Sequence, residues 1–134
     1  MSHRYRDLIV GQKAELLAGD IYRTTDSFPP KEIYGLTSQM RRAPVSVASN
    51  IAEGQGRLTK GEFQQFLGHS RGSLFELEIQ MEIASDLHYL NADEAVLLGT
   101  KTAEVRRLLN GLIDSLRAKS KAAGNESIHP KLET

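Results

Sequence analysis

The residues that could hold a metal in this 134-residue chain are few, and their spacing does not suit the task. A di-iron site in a helical bundle needs inward-facing glutamates and Glu-x-x-His pairs on two helices, because both side chains then lie on one helix face. The only such pair is Glu126 with His129, near the C-terminus. His69 and His88 have no acid three residues earlier, and cysteine is absent. We therefore predict no metal and no cofactor.

Other catalytic arrangements have no signature in the sequence either. The absence of cysteine excludes thiol catalysis and thiolate zinc sites. The run Gly54-Gln55-Gly56-Arg57 follows a predicted helix, whereas a phosphate-binding loop follows a strand. A Ser-His-Asp triad assembles in space, so the sequence neither supports nor excludes one. Our expectation is a protein that is not an enzyme.

The most unusual run covers residues 39–57, and it carries most of the candidate site residues. Asn50 lies near the apolar stripe of this segment, so it needs hydrogen-bond partners if it is buried. Glu53 is predicted to pair with Arg57 across the turn that follows. We interpret Asn50 and Glu53 as part of a polar lock in a tight helix-helix contact. Small residues in the run would let another backbone approach closely: Ala43, Ser46, Ala48, Ser49 and Ala52.

Two adjacent arginines, Arg41 and Arg42, point about 100° apart on a helix, so they cannot be buried alike. One is expected to pair with an acid of the third helix, such as Glu76, which would join the polar lock. The other is expected to contact phosphate or a neighbouring subunit. With Arg57, they are the candidate nucleic-acid or subunit contacts. The sequence leaves open which of the two is buried.

Helices must position these residues, because apolar side chains recur at spacings of three and four along most of the chain. Asp7 is a plausible N-cap for the first helix, and Pro29-Pro30 ends it. Pro44 lies inside the second helix and should kink it. Capping boxes, Thr59 with Glu62 and Asn91 with Glu94, open the third and fourth helices. The predicted bounds are about 7–26, 31–52, 59–88 and 91–121.

The third helix carries two apolar stripes, and a helix of that kind can pack on more than one neighbour. The first is a core seam in heptad spacing: Phe63, Leu67, Ser70, Leu74, Leu77, Met81, Ala84 and His88. The second consists of Phe75, Ile79, Ile83 and Leu87. Together the four segments predict an all-α fold, an antiparallel up-and-down four-helix bundle over residues 1–122. Residues 123–134 lack periodicity and are predicted to be a disordered tail.

Charge and hydropathy narrow the function classes. The chain has 17 basic and 17 acidic residues, without the basic excess typical of a dedicated nucleic-acid binder. Residues 72–94 carry six acids and no Lys or Arg, whereas residues 95–121 carry six basic residues and two acids. Such asymmetry can mark complementary faces, within a monomer or between subunits, but solvated helix surfaces are the preferred interpretation. With no membrane-spanning window and no signal peptide, we expect a cytoplasmic protein.

Several motifs in one order resemble the 23S rRNA-intervening sequence protein family, also described as the four helix bundle protein family. The resemblance covers about residues 5–117. Gly11 stands where the family usually has an aromatic residue, and a proline often found near position 48 is absent. The matching pieces are Gln12-Lys13-Ala14, Phe28-Pro29, Glu32-Ile33-Tyr34-Gly35-Leu36, Gln39-Met40-Arg41-Arg42-Ala43, Ser49-Asn50-Ile51-Ala52-Glu53-Gly54, Gly56-Arg57, Phe66-Leu67, Gly72-Ser73 and Glu76-Leu77-Glu78.

The resemblance implies an up-and-down bundle, often assembled as a ring-like homopentamer, with no known enzymatic activity. Some members are encoded inside intervening sequences of large-subunit ribosomal RNA genes. The family is also similar to retroelement accessory proteins thought to bind nucleic acid and a reverse transcriptase. Our first hypothesis is a homo-oligomeric scaffold or interaction protein. The alternative is an accessory protein that binds RNA or DNA.

Overall fold

The computed structural model describes the backbone of residues 8–127 and the side chains of residues 8–118, and it confirms the four-helix bundle. α1 and α3 occupy opposite corners, because each packs against both α2 and α4 and not against the other. Short connections make consecutive helices antiparallel. The described part of the chain contains no strand. The helices are α1 (Ile9–Thr25), α2 (Leu36–Gln55), α3 (Lys60–Asp86) and α4 (Ala92–Ser127).

The core consists of the predicted apolar stripes of all four helices. On α1, Thr25 is buried, and its hydroxyl donates to the Ile21 carbonyl at 2.7 Å. That bond satisfies the hydroxyl inside the core at little cost. The largest fully buried apolar side chains are Leu17, Ile21, Met40, Val47, Ile51, Leu67, Leu74, Leu77, Leu98, Val105 and Leu109.

The connection between α1 and α2 differs from the prediction, because α2 begins only at Leu36. The residues Pro30–Glu32 form a short 3-10 turn instead of the first turn of α2. The Glu32 carboxylate then accepts a hydrogen bond from the Leu36 N–H at 3.1 Å and another from the Tyr89 hydroxyl at 3.0 Å. A Cβ on Gly35 would lie 2.8 Å from Glu32 Oε1, so glycine leaves room for this carboxylate.

These contacts change the acidity of both side chains. The hydrogen bond from the Leu36 N–H, followed by that from the Tyr89 hydroxyl, lowers the pKa of Glu32. Desolvation, followed by the hydrogen bond to Glu32, raises the pKa of Tyr89. The Tyr89 ring also lies 5.3 Å from the Phe28 ring, between centroids. The α1–α2 and α3–α4 connections are thereby joined at one end of the bundle.

The C-terminal end of α2 also differs from the prediction. The helix continues to Gln55, past the expected end near residue 52, and it runs on both sides of Pro44. A Cβ on Gly54 would lie 2.7 Å from Phe66 Cβ and 2.9 Å from Phe63 Cδ1. Gly54 therefore permits a close approach of α2 to α3, and it does not end the helix.

Both predicted capping boxes lie at helix N-termini. The Glu62 N–H donates to Thr59 Oγ1 at 3.1 Å at the start of α3. At the start of α4 the exchange is reciprocal, because the Glu94 N–H donates to Asn91 Oδ1 at 2.8 Å and the Asn91 N–H donates to Glu94 Oε1 at 2.9 Å. These bonds satisfy N–H groups that have no partner inside the helix.

The prediction that His88 lies on the core seam of α3 is wrong. The helix ends at Asp86, and His88 is exposed with a φ of 61°. The Tyr89 N–H donates to the Ala84 carbonyl at 2.9 Å, and the His88 N–H donates to the Ser85 carbonyl at 3.0 Å. This pair of bonds is a Schellman motif, which ends a helix at a residue in the left-handed conformation.

The outer ends of α1 and α4 fall at different residues from those predicted. α1 begins at Ile9 after an extended Leu8, and Asp7, the predicted N-cap, lies outside the described residues. α4 continues to Ser127, beyond the expected end near residue 121. The first residues of the predicted tail are thus helical, and 128–134 lie outside the described part.

Candidate interaction surface

The second apolar stripe of α3 lies on the outside of the bundle. Phe75, Ile79 and Ile83 are 51%, 58% and 43% exposed and stand in one row opposite the core seam. We call these three residues the α3 ridge. Leu87, the last residue of the stripe, is also exposed at the end of the helix. No other helix of the described chain covers the ridge, and a contiguous exposed apolar row is a common feature of binding surfaces.

One groove flanks the ridge on the side of α4 and has a volume of about 610 Å³. The short side chains of Ala95 and Gly99 keep this α3–α4 groove open on the α4 side. Met81 and Leu90 supply apolar surface, and Glu82 adds a carboxylate. The groove is therefore mainly apolar and could receive apolar side chains from a partner.

A second groove, the α2–α3 groove, flanks the ridge on the other side and has a volume of about 580 Å³. Its lining is more polar than that of the first, since Arg42 of α2 and Glu76 of α3 both take part. The two side chains make no ion pair with each other within 4 Å. Gln80 also lines the groove, and its Oε1 is buried without a hydrogen-bond partner in the described chain.

Arg41 is the more buried of the two arginines, with 22% of its side chain exposed. Its Nε donates to Thr25 Oγ1 at 2.8 Å and its Nη2 donates to the Tyr22 carbonyl at 3.3 Å. Nη2 also lies 3.6 Å from an Asp26 carboxylate oxygen. Arg41 thus contacts the end of α1, and the expected pairing of the buried arginine with Glu76 is wrong. Position 41 faces α1, whereas Glu76 lies on the far side of α2.

Arg57 pairs with Glu53, as predicted, at 2.6 Å between Nη2 and Oε2. The two residues are one turn apart, a spacing at which opposite charges attract along a helix end. The Arg57 guanidinium also lies 4.7 Å from the centre of the Phe66 ring. Both contacts hold Arg57 against the bundle and offset its charge locally.

Asn50 lies beside a polar contact between α2 and α3, as predicted, but its own hydrogen bonds stay within α2 and go to Ser46. Its Nδ2 donates to the Ser46 carbonyl at 2.9 Å and to Ser46 Oγ at 3.1 Å. Ser46 Oγ is 2.8 Å from Ser73 Oγ on α3. A second hydrogen bond joins the same two helices, because Ser70 Oγ donates to the Val47 carbonyl at 2.8 Å.

Glu53 and Glu76, the other predicted members of the polar lock, lie outside it. Glu53 is engaged with Arg57, and Glu76 is exposed in the α2–α3 groove. Ser46 was expected only as a small residue and Ser70 only as a member of the core seam, and nothing in the sequence indicated their bonds to the neighbouring helix. A helical serine can bond its own helix or a neighbour, and only the rotation of the two helices decides between them.

Ion pairs between helices use part of the charge of α4 within the monomer. Lys101 of α4 lies 2.5 Å from Asp20 of α1, and Arg23 lies 2.7 Å from the same carboxylate. Burial raises the pKa of Asp20, but the hydrogen bonds from Lys101 and Arg23 outweigh it, so the pKa of Asp20 is lowered. Arg106 pairs with Glu78 of α3. Two of the basic residues of α4 are therefore already neutralised.

Among the residues that the structure describes, no group of three His, Asp or Glu side chains is placed to share a metal ion. Nor does any helix within the described part have a segment apolar and long enough to traverse a lipid bilayer.

The comparisons with known proteins agree with this architecture. The family model of the 23S rRNA-intervening sequence protein matches residues 6–111. A crystal structure from Bacteroides thetaiotaomicron, of a protein with unknown function from the S23 ribosomal protein family, is similar with a TM-score of 0.73. The two chains are 19% identical, and the match covers 79% of this chain and 96% of that one. At that identity the likeness shows the fold alone. None of the curated proteins matches the chain.

Proposed function

This chain belongs to the 23S rRNA-intervening sequence protein family, and we propose that it is a non-enzymatic interaction protein that assembles with copies of itself. The observation that carries the proposal is the α3 ridge. Phe75, Ile79 and Ile83 expose large apolar side chains in one row. Covering the ridge with a second copy would remove this surface from water.

The energy available from the ridge is moderate. Burying the exposed half of each of its three side chains is worth roughly 1 kcal/mol per residue. Association costs more free energy than the three side chains supply together, because each copy loses translational and rotational freedom. The ridge therefore needs the two flanking grooves to contribute contact area. In this proposal side chains of one copy enter the grooves of another.

The number of copies is a separate part of the proposal. The family resemblance implies five, and the exposed ridge is compatible with any assembly that covers one face of each chain. Light scattering after size exclusion, at several protein concentrations, gives the mass. We expect a mass of more than one chain that falls on dilution.

A substitution in the ridge tests whether this face is responsible. Ile79→Asp places a charge at its centre and should leave a folded monomer. Leu58→Asp is the control, because Leu58 is 98% exposed in the α2–α3 connection, away from the ridge. It should assemble as the wild type does. A wild-type chain that stays monomeric at every concentration would overturn the proposal.

Nucleic-acid binding is the alternative function. Self-association is preferred because two of the three predicted phosphate contacts are engaged within the chain: Arg41 at the end of α1 and Arg57 with Glu53. Retention of a structured RNA on a filter at low salt would favour the alternative. Such binding must weaken steeply as salt is raised, because phosphate contacts release counterions.

A further inference from the structure

We infer that Arg42 and Glu76 form ion pairs between two copies of the chain, Arg42 of one copy with Glu76 of the next. The inference rests on the proposed self-association and deepens it. The ridge provides apolar contact area that does not discriminate between partners. The two charges would decide which surface the ridge contacts. Complementary charges at an interface act mainly in this way, by selecting the partner and the register.

Arg42 and Glu76 have no partner of opposite charge within residues 8–118. Arg41, Glu53 and Glu78 each take part in an ion pair within the chain. Arg42 and Glu76 are exposed on opposite walls of the α2–α3 groove, and within residues 8–118 neither makes an ion pair. The monomer therefore makes no use of either charge.

Their position relative to the ridge identifies the occupant as a second copy. Ile79 and Ile83 belong to the ridge and also line the α2–α3 groove, so the charges lie at its polar edge. An apolar centre with a polar rim is the usual anatomy of a protein interface. The groove holds one charge of each sign, and two copies that meet here present an arginine to a glutamate.

The same geometry disfavours a phosphate as the ligand of Arg42. A phosphate in the α2–α3 groove would bind beside the Glu76 carboxylate, and repulsion between the two anions would offset the attraction of the arginine. Glu76 favours a partner that brings a cation as well as an anion. A second copy of this neutral chain meets that requirement.

The test is a charge reversal with complementation. Arg42→Glu and Glu76→Arg are prepared separately, and self-association is measured by analytical ultracentrifugation. Each variant alone should show a dissociation constant at least tenfold higher than the wild type, or about 1.4 kcal/mol. An equimolar mixture of the two should recover association, because each contact between unlike chains again joins opposite charges. Arg107→Glu and Asp114→Arg are the controls, since both residues are exposed on α4 and neither should change the constant.

Several outcomes would overturn the inference. One is a single variant that associates like the wild type, and another is a mixture that does not recover. A third is that Glu76→Arg leaves self-association unchanged while it raises the retention of a structured RNA that Arg42→Glu abolishes. Loss of association in Ile79→Asp together with wild-type behaviour of both charge variants would leave the proposed function standing and reject only this pairing. Circular dichroism of each variant confirms that the exposed substitutions leave the helices intact.

Discussion

At the scale of residues, two neighbouring arginines have opposite surroundings. Arg41 donates to a buried hydroxyl and to a carbonyl at the end of α1, and it lies near Asp26. Arg42, one position later, is exposed and has no such contacts in the described chain. Hydrogen bonds that involve a charged group are stronger than neutral ones, so Arg41 should contribute far more to stability.

Arg41→Met is therefore expected to lower the free energy of unfolding by about 1–3 kcal/mol, because Met keeps much of the packing but none of the hydrogen bonds. Arg42→Met is the matched control and should change it by less than about 0.5 kcal/mol. Urea unfolding at a concentration where the chain is monomeric measures both. Equal losses in the two variants would contradict the different roles assigned to them.

At the scale of elements, the backbone conformation at a helix end and the space around a glycine decide which substitutions the bundle tolerates. The C-terminal end of α3 places His88 in the left-handed conformation, which glycine adopts without strain. Two helical glycines, one in α2 and one in α3, differ in the space that a Cβ atom would find around them. Gly54 is covered by Phe63 and Phe66, whereas a Cβ on Gly68 would meet nothing within 4 Å.

His88→Gly should raise the free energy of unfolding by about 1 kcal/mol, because it removes the strain of a side chain in the left-handed region. His69→Gly is the comparison, since His69 is exposed within α3. There glycine should lower stability, by up to about 0.5 kcal/mol, through its poor helix propensity. Thermal or urea unfolding of both variants would reveal the difference in sign, and a loss in His88→Gly would contradict it.

Gly54→Ala should lower the free energy of unfolding by about 1–3 kcal/mol, because α2 and α3 must move apart to admit the methyl group. Gly68→Ala should raise it by about 0.5–1 kcal/mol, since alanine is the better helix former and has open space here. The same unfolding experiment measures both. If Gly54→Ala were neutral, the close approach of the two helices at this point would be in doubt.

At the scale of the whole molecule, two carboxylates bring distant segments together. The Asp20 carboxylate of α1 forms an ion pair with Lys101 of α4. The Glu32 carboxylate accepts hydrogen bonds from the N–H at the start of α2 and from the Tyr89 hydroxyl. In both cases the pKa of the carboxyl is lowered in the folded chain. A lowered pKa means that the ionised form is the one the fold stabilises, so these contacts depend on pH.

The Asp20 contact should stabilise the bundle at neutral pH and lose its effect in acid. The pKa of Asp20 is lower in the folded chain than in the unfolded chain. The stabilisation by this carboxylate is therefore complete above the unfolded pKa, about 4, and it disappears as pH falls through the folded pKa. Asp20→Asn should therefore be less stable than the wild type at pH 7, and the gap should close in acid. Urea unfolding from pH 7 to pH 2.5 measures it.

The control for that titration is Asp86→Asn, because Asp86 is exposed and makes no ion pair in the described residues. The free energy of unfolding of Asp86→Asn should stay close to that of the wild type over the whole pH range of the titration. A gap for Asp20→Asn that did not depend on pH would show that the carboxylate acts by packing and not by charge.

Features that depend on spacing along one helix could be predicted from the sequence. The number of helices, the core stripes, the two capping boxes and the Glu53–Arg57 pair all belong to this class. Each involves residues within about one turn of each other, or a periodic row, so the local geometry of an α-helix determines the contact. The family resemblance relied on such motifs as well, and the match over residues 6–111 supports it.

Features that depend on how one helix faces another were decided by the tertiary structure. Arg41 is more buried than Arg42 because α2 is rotated so that position 41 faces the end of α1. Ser46 meets Ser73, and the second stripe of α3 remains uncovered, for the same reason. Spacing alone does not determine the rotation and crossing of packed helices, since these follow from all the side chains between them. The candidate interaction surface, the α3 ridge with its two grooves, is therefore a property of the folded bundle.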